Sequence, residues 1–210
     1  GKVKALVTID QAGKQNFLEV LDKALKSCTS LAELPLKHIV VKTEQTLPSN
    51  YHKFDALLQK KYSTSDQEKL NEAARHIDPE SSICIQFTSG TTGLPKAAQL
   101  SHFNFTNQSI FFGEGLKLHE GPKRICLMLP MFHVYGLTLI VSALHYGSTL
   151  VAPYAGFNPA ACLDAIEKES CECIAGTPTM YVDLLAAQSQ KPRNVSSLQV
   201  ASVGGATCSP

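Results

Sequence analysis

The stretch from Phe87 to Lys96 combines two glycines, four hydroxyl side chains and one lysine within ten residues. It directly follows Ile83 to Gln86, whose alternation of apolar and less apolar residues is typical of a strand. Glycines let a backbone approach a ligand closely, successive N–H groups bind anions, and a lysine adds a point charge. A strand that leads into such a loop is chemically suited to polyphosphate. We therefore predict that the loop holds the phosphates of a nucleotide.

The spacing within this loop excludes two common phosphate-binding motifs. A Walker A loop requires G-x4-G-K-[ST], whereas Gly90 and Gly93 are separated by two residues, and Ala97 follows the lysine where a serine or threonine would bind magnesium. The dinucleotide fingerprint G-x-G-x-x-G is not matched either, and the sequence contains neither a G-x-S-x-G elbow nor an H-E-x-x-H helix. For the loop alone, a polar turn that binds no ligand remains the alternative.

Composition and charge exclude several further classes. The 210 residues are 18% charged with a formal net charge of +1, so nothing predicts a surface for nucleic acid. The seven cysteines are an odd number in mostly apolar contexts, which favours free thiols over a disulfide framework, and their spacing does not predict a metal site. The longest apolar run, Leu137 to Leu144, is too short to cross a membrane and predicts a buried helix.

Predicted strands and helices alternate along the chain on both sides of the loop. Ser101, Asn158 and Thr177 are predicted helix N-caps, the last two because each precedes a proline. Residues 42–75 are more polar, with turns predicted at 48–50 and 63–66, and a further turn is predicted at 78–80, before the strand that leads to the loop. The predicted strands are 4–8, 36–41, 83–86, 124–129, 149–152, 173–175 and 198–203, and the predicted helices are 14–26, 54–58, 102–112, 137–146, 159–168 and 178–188.

Strands separated by helices of this length predict an α/β fold with mostly parallel β-sheets flanked by helices. In such sheets, ligands bind beyond the carboxyl ends of the strands. Three segments follow predicted strands directly: the glycine loop, Pro130 to His133, and Gly204 to Ala206. We therefore expect sheet topology to bring them to one edge. His133 is either a structural residue or a site residue, and Gly204 and Gly205 are either a simple turn or a surface on which a flat ligand lies.

The glycine loop as a whole resembles the phosphate loop of the adenylate-forming (AMP-binding) superfamily, which includes acyl-CoA synthetases, 4-coumarate–CoA ligases, luciferases and peptide-synthetase adenylation domains. Residues 129–136 resemble that family's segment beside the acyl pocket, and residues 203–206 resemble its turn between carboxylate substrate and adenine. Residues 85–87, 115–120 and 176–183 are most similar to the medium-chain acyl-CoA synthetase family member 2 group. The resemblance covers nearly the whole chain.

This resemblance implies a reaction in two steps. A carboxylate attacks the α-phosphorus of ATP in the presence of Mg²⁺ and releases pyrophosphate, and the acyl group then passes to the thiol of coenzyme A. Lys96, Thr91 and Thr92 are the implied catalytic residues, together with His133, which would position either the carboxylate or the pocket. The implied nucleotide contacts are Thr88, Ser89, Gly90, Thr91, Thr92, Gly93, Leu94, Pro95, Lys96, Gly204, Gly205 and Ala206.

The resemblance also implies what surrounds the chain. Family members continue past the position of Pro210 with an adenine motif, a ribose-binding aspartate, a hinge and a mobile domain that carries a catalytic lysine. We therefore expect residues 1–210 to be part of the N-terminal AMP-binding domain of an acyl-CoA synthetase of fatty acid metabolism, inactive alone. Its expected partners are a small carboxylic acid, ATP and CoA, in a mitochondrial or alternatively cytoplasmic or peroxisomal parent. A non-catalytic nucleotide- or acyl-binding paralogue, and an adenylating enzyme of 4-coumarate–CoA ligase or luciferase type, remain open alternatives.

Overall fold

The computed structural model describes residues 3–27, 35–88 and 95–208. The chain divides into two compact units, residues 1–76 and residues 77–210. Each unit has its own sheet and helices. No helix of the described residues is long and apolar enough to span a membrane.

The first unit is built on a parallel three-stranded sheet. Its strands and helices are β1 (Ala5–Ile9), β2 (Gln11–Ala12), β3 (Gln15–Asn16), α1 (Phe17–Ser27), β4 (His38–Lys42), β5 (Tyr51–Lys53), α2 (Phe54–Leu58) and α3 (Thr64–Arg75). β4 lies between β1 and β5 and is parallel to both, while β2 and β3 form a small antiparallel pair. Ile39, Val40 and Val41 of β4 are buried. The predicted β-α-β beginning and the predicted helix α2 are confirmed.

Four elements of this unit were not predicted: the two-residue strands β2 and β3, the strand β5 and the helix α3. β5 is short, and α3 has no buried residue, so neither shows the hydrophobic periodicity from which elements are recognised. The turn predicted at 63–66 is wrong, because these residues begin α3. Ser63 Oγ accepts a hydrogen bond from the Asp66 N–H at 3.2 Å, and the Asp66 carboxylate accepts one from the Ser63 N–H at 3.0 Å. Such residues favour turns and helix N-termini alike, since both need side-chain oxygens for free N–H groups.

The second unit contains a four-stranded parallel sheet and a separate two-stranded hairpin. Its elements are β6 (Ser82–Thr88), β7 (Lys96–Ser101), α4 (His102–Gly115), a 3-10 turn (Leu118–Glu120), β8 (Arg124–Cys126), α5 (Val134–His145), β9 (Thr149–Val151), α6 (Pro159–Glu169), β10 (Cys173–Gly176), α7 (Pro178–Gln190) and β11 (Val200–Val203). The sheet order is β11-β10-β8-β9, with every neighbouring pair parallel. The predicted α/β class with mostly parallel sheets is confirmed.

The four-stranded sheet is covered on both faces. Successive residues of β8 point to opposite sides, as the pleat of a strand requires. Ile125 joins the cluster that includes Leu139 of α5, whereas Cys126 joins the cluster that includes Cys162 of α6 and Leu184 of α7. A strand buried on both faces reads as a continuous apolar run, which explains why β8 was predicted to extend to residue 129. The strand ladder ends earlier, although the Leu127 N–H still donates to the Val151 carbonyl at 2.8 Å.

The hairpin of β6 and β7 corrects the prediction around the glycine loop. No strand is predicted between the loop and the N-cap Ser101, yet residues 96–101 pair with β6 in antiparallel register. β7 has the sequence Lys-Ala-Ala-Gln-Leu-Ser, without the β-branched or aromatic residues that favour strands. Its pairing with β6 therefore outweighs its weak local preference. α4 begins only after β7, at His102.

Candidate functional site

The predicted phosphate loop joins the two strands of the hairpin. β6 ends at Thr88 and β7 begins at Lys96, and these two residues are directly opposite each other. Both side chains are exposed. Cross-strand neighbours have Cβ atoms roughly 5 Å apart, so the side chains of a threonine and a lysine leave the backbone side by side where the loop begins and ends. This pair of groups is chemically suited to a phosphate.

The central residues of the loop, Ser89 to Leu94, lie outside the described residues. They include Gly90, Thr91, Thr92 and Gly93, and their contacts with phosphate remain a prediction. Pro95 is exposed and directly precedes β7. The position of the loop at the carboxyl edge of the four-stranded sheet also remains a prediction.

The other two predicted segments lie at the carboxyl edge of the four-stranded sheet. Pro130 to His133 follow β8 and its extended continuation, and Gly204 to Ala206 follow β11. β10 runs between β8 and β11. Its last residue, Gly176, accepts a hydrogen bond from the Gly204 N–H at 3.1 Å, which holds the turn after β11 against the end of β10.

Tyr135 connects these two segments and was not among the predicted site residues. Its hydroxyl lies 3.1 Å from Ser202 Oγ and donates to the Ser202 carbonyl at 3.4 Å. Its ring lies against Gly204, with ring atoms 3.4 Å from the position that a Cβ would occupy there. Tyr135 lies within the segment 129–136 that resembled the family's motif, which was the available indication of a role at the site.

His133 caps the helix that carries Tyr135. Its Nδ1 accepts a hydrogen bond from the Tyr135 N–H at 3.1 Å, and its backbone is extended, as expected of an N-cap. Because Nδ1 acts as an acceptor, this hydrogen-bond pattern assigns the proton of the neutral imidazole to Nε2. The side chain is exposed. His133 therefore has a structural role through Nδ1 and presents a donor through Nε2.

A second tyrosine fixes the end of β11. The Tyr181 hydroxyl donates to the Ser202 carbonyl at 2.8 Å. Burial raises the pKa of the Tyr181 hydroxyl well above its ordinary value, because the phenolate would lose its hydration. Tyr181 therefore remains a neutral donor, and together with Tyr135 it holds Ser202 in place directly before the Gly204 turn.

Gly204, Gly205 and Ala206 form the turn after β11. Gly205 has φ of +82°, in the left-handed region that favours glycine. Gly204 allows the close approach of the Tyr135 ring. Each glycine therefore has a structural reason, and the nucleotide contacts of all three residues remain a prediction. Within the described ranges, no group of three or more His, Cys, Asp or Glu side chains is placed to hold a metal ion.

The sequence matches the family model described as "AMP-binding enzyme" over residues 1–210. The medium-chain acyl-CoA ligase ACSF2, mitochondrial, of Danio rerio is 36% identical over 182 residues, which cover 85% of this chain and 30% of that protein. The acyl-CoA ligase sidI of Beauveria bassiana is 40% identical over 141 residues, which cover 67% of this chain and 24% of that protein. The chain thus spans about a quarter to a third of the length of these curated relatives. The predicted superfamily, and its likeness to the family member 2 group, are confirmed.

Solved structures show the same fold. The anthranilate CoA ligase AuaEII in complex with anthranoyl-AMP superposes with a TM-score of 0.73 at 20% identity, and the match covers 96% of this chain and 36% of that one. The luciferase-like enzyme from the mealworm Zophobas morio gives a TM-score of 0.70 at 20% identity, with 97% and 43% covered. At this identity the likeness concerns the fold alone.

Proposed function

The chain belongs to the AMP-binding enzyme family, and from this premise we propose that it is part of an ATP-dependent acyl-CoA synthetase. The proposal is carried by its 36% identity, over 85% of its length, to a relative named a medium-chain acyl-CoA ligase. Residues 1–210 would form part of the AMP-binding domain of a longer protein. That protein would join a medium-chain fatty acid to coenzyme A. It would be located in mitochondria, because the name of this relative includes the word "mitochondrial".

In the first step, the acid's carboxylate attacks the α-phosphorus of ATP and pyrophosphate departs. A carboxylate needs no deprotonation near neutral pH, so this step depends on positioning and on neutralising phosphate charge. We assign the phosphate contacts to the loop, with Thr91 and Thr92 as donors and Lys96 as the cation. The Mg²⁺ that accompanies ATP would neutralise further phosphate charge, and we assign it no ligand in the described ranges.

We assign to His133 the positioning of the acid's carboxylate. The N-cap hydrogen bond fixes the imidazole through Nδ1, so the Nε2–H can donate to a carboxylate oxygen without a change of tautomer. Tyr135, on the first turn of the same helix, joins this position to the turn after β11 through Ser202. Gly204, Gly205 and Ala206 would then lie beside the adenine. In the second step, the thiol sulfur of coenzyme A would attack the acyl carbonyl of the acyl-adenylate, so that the thioester forms, the acyl–phosphate bond breaks and AMP leaves.

Pyrophosphate exchange by the full-length protein tests the ligase proposal. The protein is incubated with ATP, Mg²⁺ and labelled pyrophosphate, and with single carboxylic acids from acetate to palmitate. We expect label to enter ATP in the presence of medium-chain acids. Exchange with none of the acids would refute the proposal and favour a non-catalytic paralogue.

The loop assignment is tested by separating the half-reactions. In the full-length protein, Thr91→Ala or Thr92→Ala should slow adenylation by on the order of 10²-fold, since one lost donor to transition-state charge costs about 3 kcal/mol. Thioester formation from supplied acyl-adenylate should remain near the wild-type rate. Thr149→Ala, at the amino end of β9, is the matched control. Equal losses in both half-reactions would show that these hydroxyls do not serve the phosphates.

A further inference from the structure

The two segments that the proposed adenylation would use are carried by different elements of the second unit. His133 precedes α5, which follows β8, whereas the Gly204 turn follows β11, and β10 runs between these two strands. Neighbouring strands are roughly 4.8 Å apart, so β8 and β11 are separated by about 10 Å. Adenylation joins a carboxylate oxygen to the α-phosphorus, which requires the reacting atoms to lie about 3–3.5 Å apart. The separation of the two segments therefore matters more to this step than to the binding of either ligand alone.

The beginning of α5 is held firmly against the residues that precede it. The His133 N–H donates to the Pro130 carbonyl at 3.2 Å, which closes the turn before the helix. A Cβ at Gly136 would collide with the same carbonyl oxygen, so the glycine lets the first turn of α5 pack directly on Pro130. The Tyr135 N–H donates to His133 Nδ1 in addition. These contacts join His133 and Tyr135 into one rigid piece.

The Tyr135 side chain connects this piece to β11. Its ring meets the Phe112 ring edge-to-face, with centroids 5.6 Å apart, and also contacts Gly204. Its hydroxyl lies nearer to Ser202 Oγ, at 3.1 Å, than to the Ser202 carbonyl, at 3.4 Å. That carbonyl accepts a shorter hydrogen bond from the Tyr181 hydroxyl, at 2.8 Å. The two tyrosines thus hold different groups of one residue: Tyr181 holds the backbone of Ser202, and Tyr135 holds its hydroxyl.

We infer that Ser202 is a positioning residue for adenylation, and that it acts through the hydrogen bond between its hydroxyl and Tyr135. The inference rests on the proposed function and deepens it, because it names the contact that sets the separation of the acid and the nucleotide. Ser202 itself is assigned no contact with a substrate. Loss of its hydroxyl should leave the contacts of each ligand in place and loosen only their relative position, on which the rate of a joining reaction depends steeply.

Variants of the full-length protein that each lack one hydroxyl test this role in pyrophosphate exchange. Ser202→Ala and Tyr135→Phe should each lower kcat about tenfold, which corresponds to about 1.4 kcal/mol, and leave the KM values for ATP and octanoate within about twofold of the wild type. The double variant should lose about tenfold as well, and not about a hundredfold, because the two hydroxyls form one contact. Ser202→Thr keeps the hydroxyl on a residue that favours strands, so it should restore exchange.

The second half-reaction separates positioning from general support of the fold. When acyl-adenylate is supplied, a covalent bond already fixes the acid relative to AMP, so thioester formation should stay near the wild-type rate in all these variants. Tyr146→Phe and Ser197→Ala are the matched controls, since each removes a hydroxyl that donates to a backbone carbonyl. Tyr146 follows α5 and Ser197 precedes β11, so both lie toward the amino ends of the strands. Both controls should exchange label as the wild type does.

Four results would overturn the positioning role of Ser202. Equal losses in both half-reactions, or a loss that Ser202→Thr does not restore, would show that Ser202 only supports the fold. Additive losses in the double variant would show that the two hydroxyls act separately. Wild-type exchange by Ser202→Ala would refute the positioning role alone and leave the ligase proposal standing. Absence of exchange from the wild type, by contrast, would refute the ligase proposal and the role of Ser202 with it.

Discussion

Alanine at Gly204 and alanine at Gly205 should have opposite effects on stability, although the two residues are adjacent. At Gly204, a Cβ would meet the Tyr135 ring at 3.4–3.5 Å, which is ordinary van der Waals contact. Gly204→Ala should therefore stabilise the fold by about 0.4–1 kcal/mol, because alanine lowers the conformational entropy of the unfolded chain.

Gly205 is different because its backbone has φ of +82°. A Cβ there would meet only Thr177 Cγ2, at 3.5 Å, so the cost of alanine comes from the backbone and is about 1–2 kcal/mol. The two variants should thus differ by about 1.5–3 kcal/mol, which for a chain of this size separates their thermal midpoints by on the order of 5 °C. Gly205→Asn should recover part of the loss, since asparagine tolerates the left-handed region.

Thermal unfolding followed by circular dichroism measures these differences, and pyrophosphate exchange by the full-length protein measures their effect on the reaction. We expect Gly204→Ala to slow exchange even though it does not unfold the protein, because its methyl group narrows the surface assigned to the nucleotide. Equal destabilisation by both alanines would refute the turn geometry. A stable Gly204→Ala protein with wild-type exchange would refute the nucleotide contact at this turn.

Three further predictions concern the packing that supports the site. Gly136→Ala in α5 should lower the free energy of unfolding by about 3 kcal/mol, because its Cβ would collide with a backbone carbonyl of the preceding segment. Gly115→Ala, with open space around it, should raise that free energy by up to about 1 kcal/mol. Urea unfolding compares the two variants, and similar midpoints would contradict this packing. In the same assay, Arg193→Ala should lower the free energy of unfolding by about 3 kcal/mol, because the Arg193 side chain is 5% exposed and donates to two backbone carbonyls at the end of α7. Arg75→Ala is the control: the Arg75 side chain is 75% exposed, and its loss should lower the free energy by less than about 0.5 kcal/mol. The hydrogen bond from Arg193 lowers the pKa of Asp164 in the folded protein, so this pair stabilises the fold above the ordinary aspartate pKa of about 3.9. The stabilisation is lost as the pH falls through the lower pKa of the folded state. Arg193→Ala should therefore make the stability less dependent on acid pH, and an unchanged dependence would show that the pair does not contribute.

Three of the helix beginnings, those of α4, α6 and α7, could be predicted from the sequence because their determinants are local. Ser101, Asn158 and Thr177 each accept a hydrogen bond from the N–H three residues later, at 3.1, 3.0 and 3.4 Å. An N-cap depends on one side chain and the turn that follows it, so the residue type suffices for Ser101, and a proline at the next position strengthens the prediction for Asn158 and Thr177. The parallel sheet followed from the regular alternation of strands and helices, which leaves few possible topologies.

The contacts that organise the candidate site could not be predicted in this way. Tyr135 meets Ser202 from 67 positions away in the sequence, and this pairing depends on the order of the strands between them. β7 was missed because its residues do not favour strands, so only its pairing partner reveals it.

The hairpin changes which charges can act on a bound phosphate. In loops that lead directly into a helix, the helix N-terminus supplies partial positive charge to the anion. Here, β7 separates the loop from α4, and its six residues span about 20 Å at roughly 3.3 Å each. The effect of a helix dipole falls off within the first turn, and salt screens exposed charges beyond about 10 Å. The N-terminus of α4 is therefore too far along the strand to neutralise a phosphate at the loop. In the function that we propose, that task would fall to Lys96 and to the amides and hydroxyls of the loop itself, which would be a physical reason, independent of motif spacing, why this loop differs from a Walker loop.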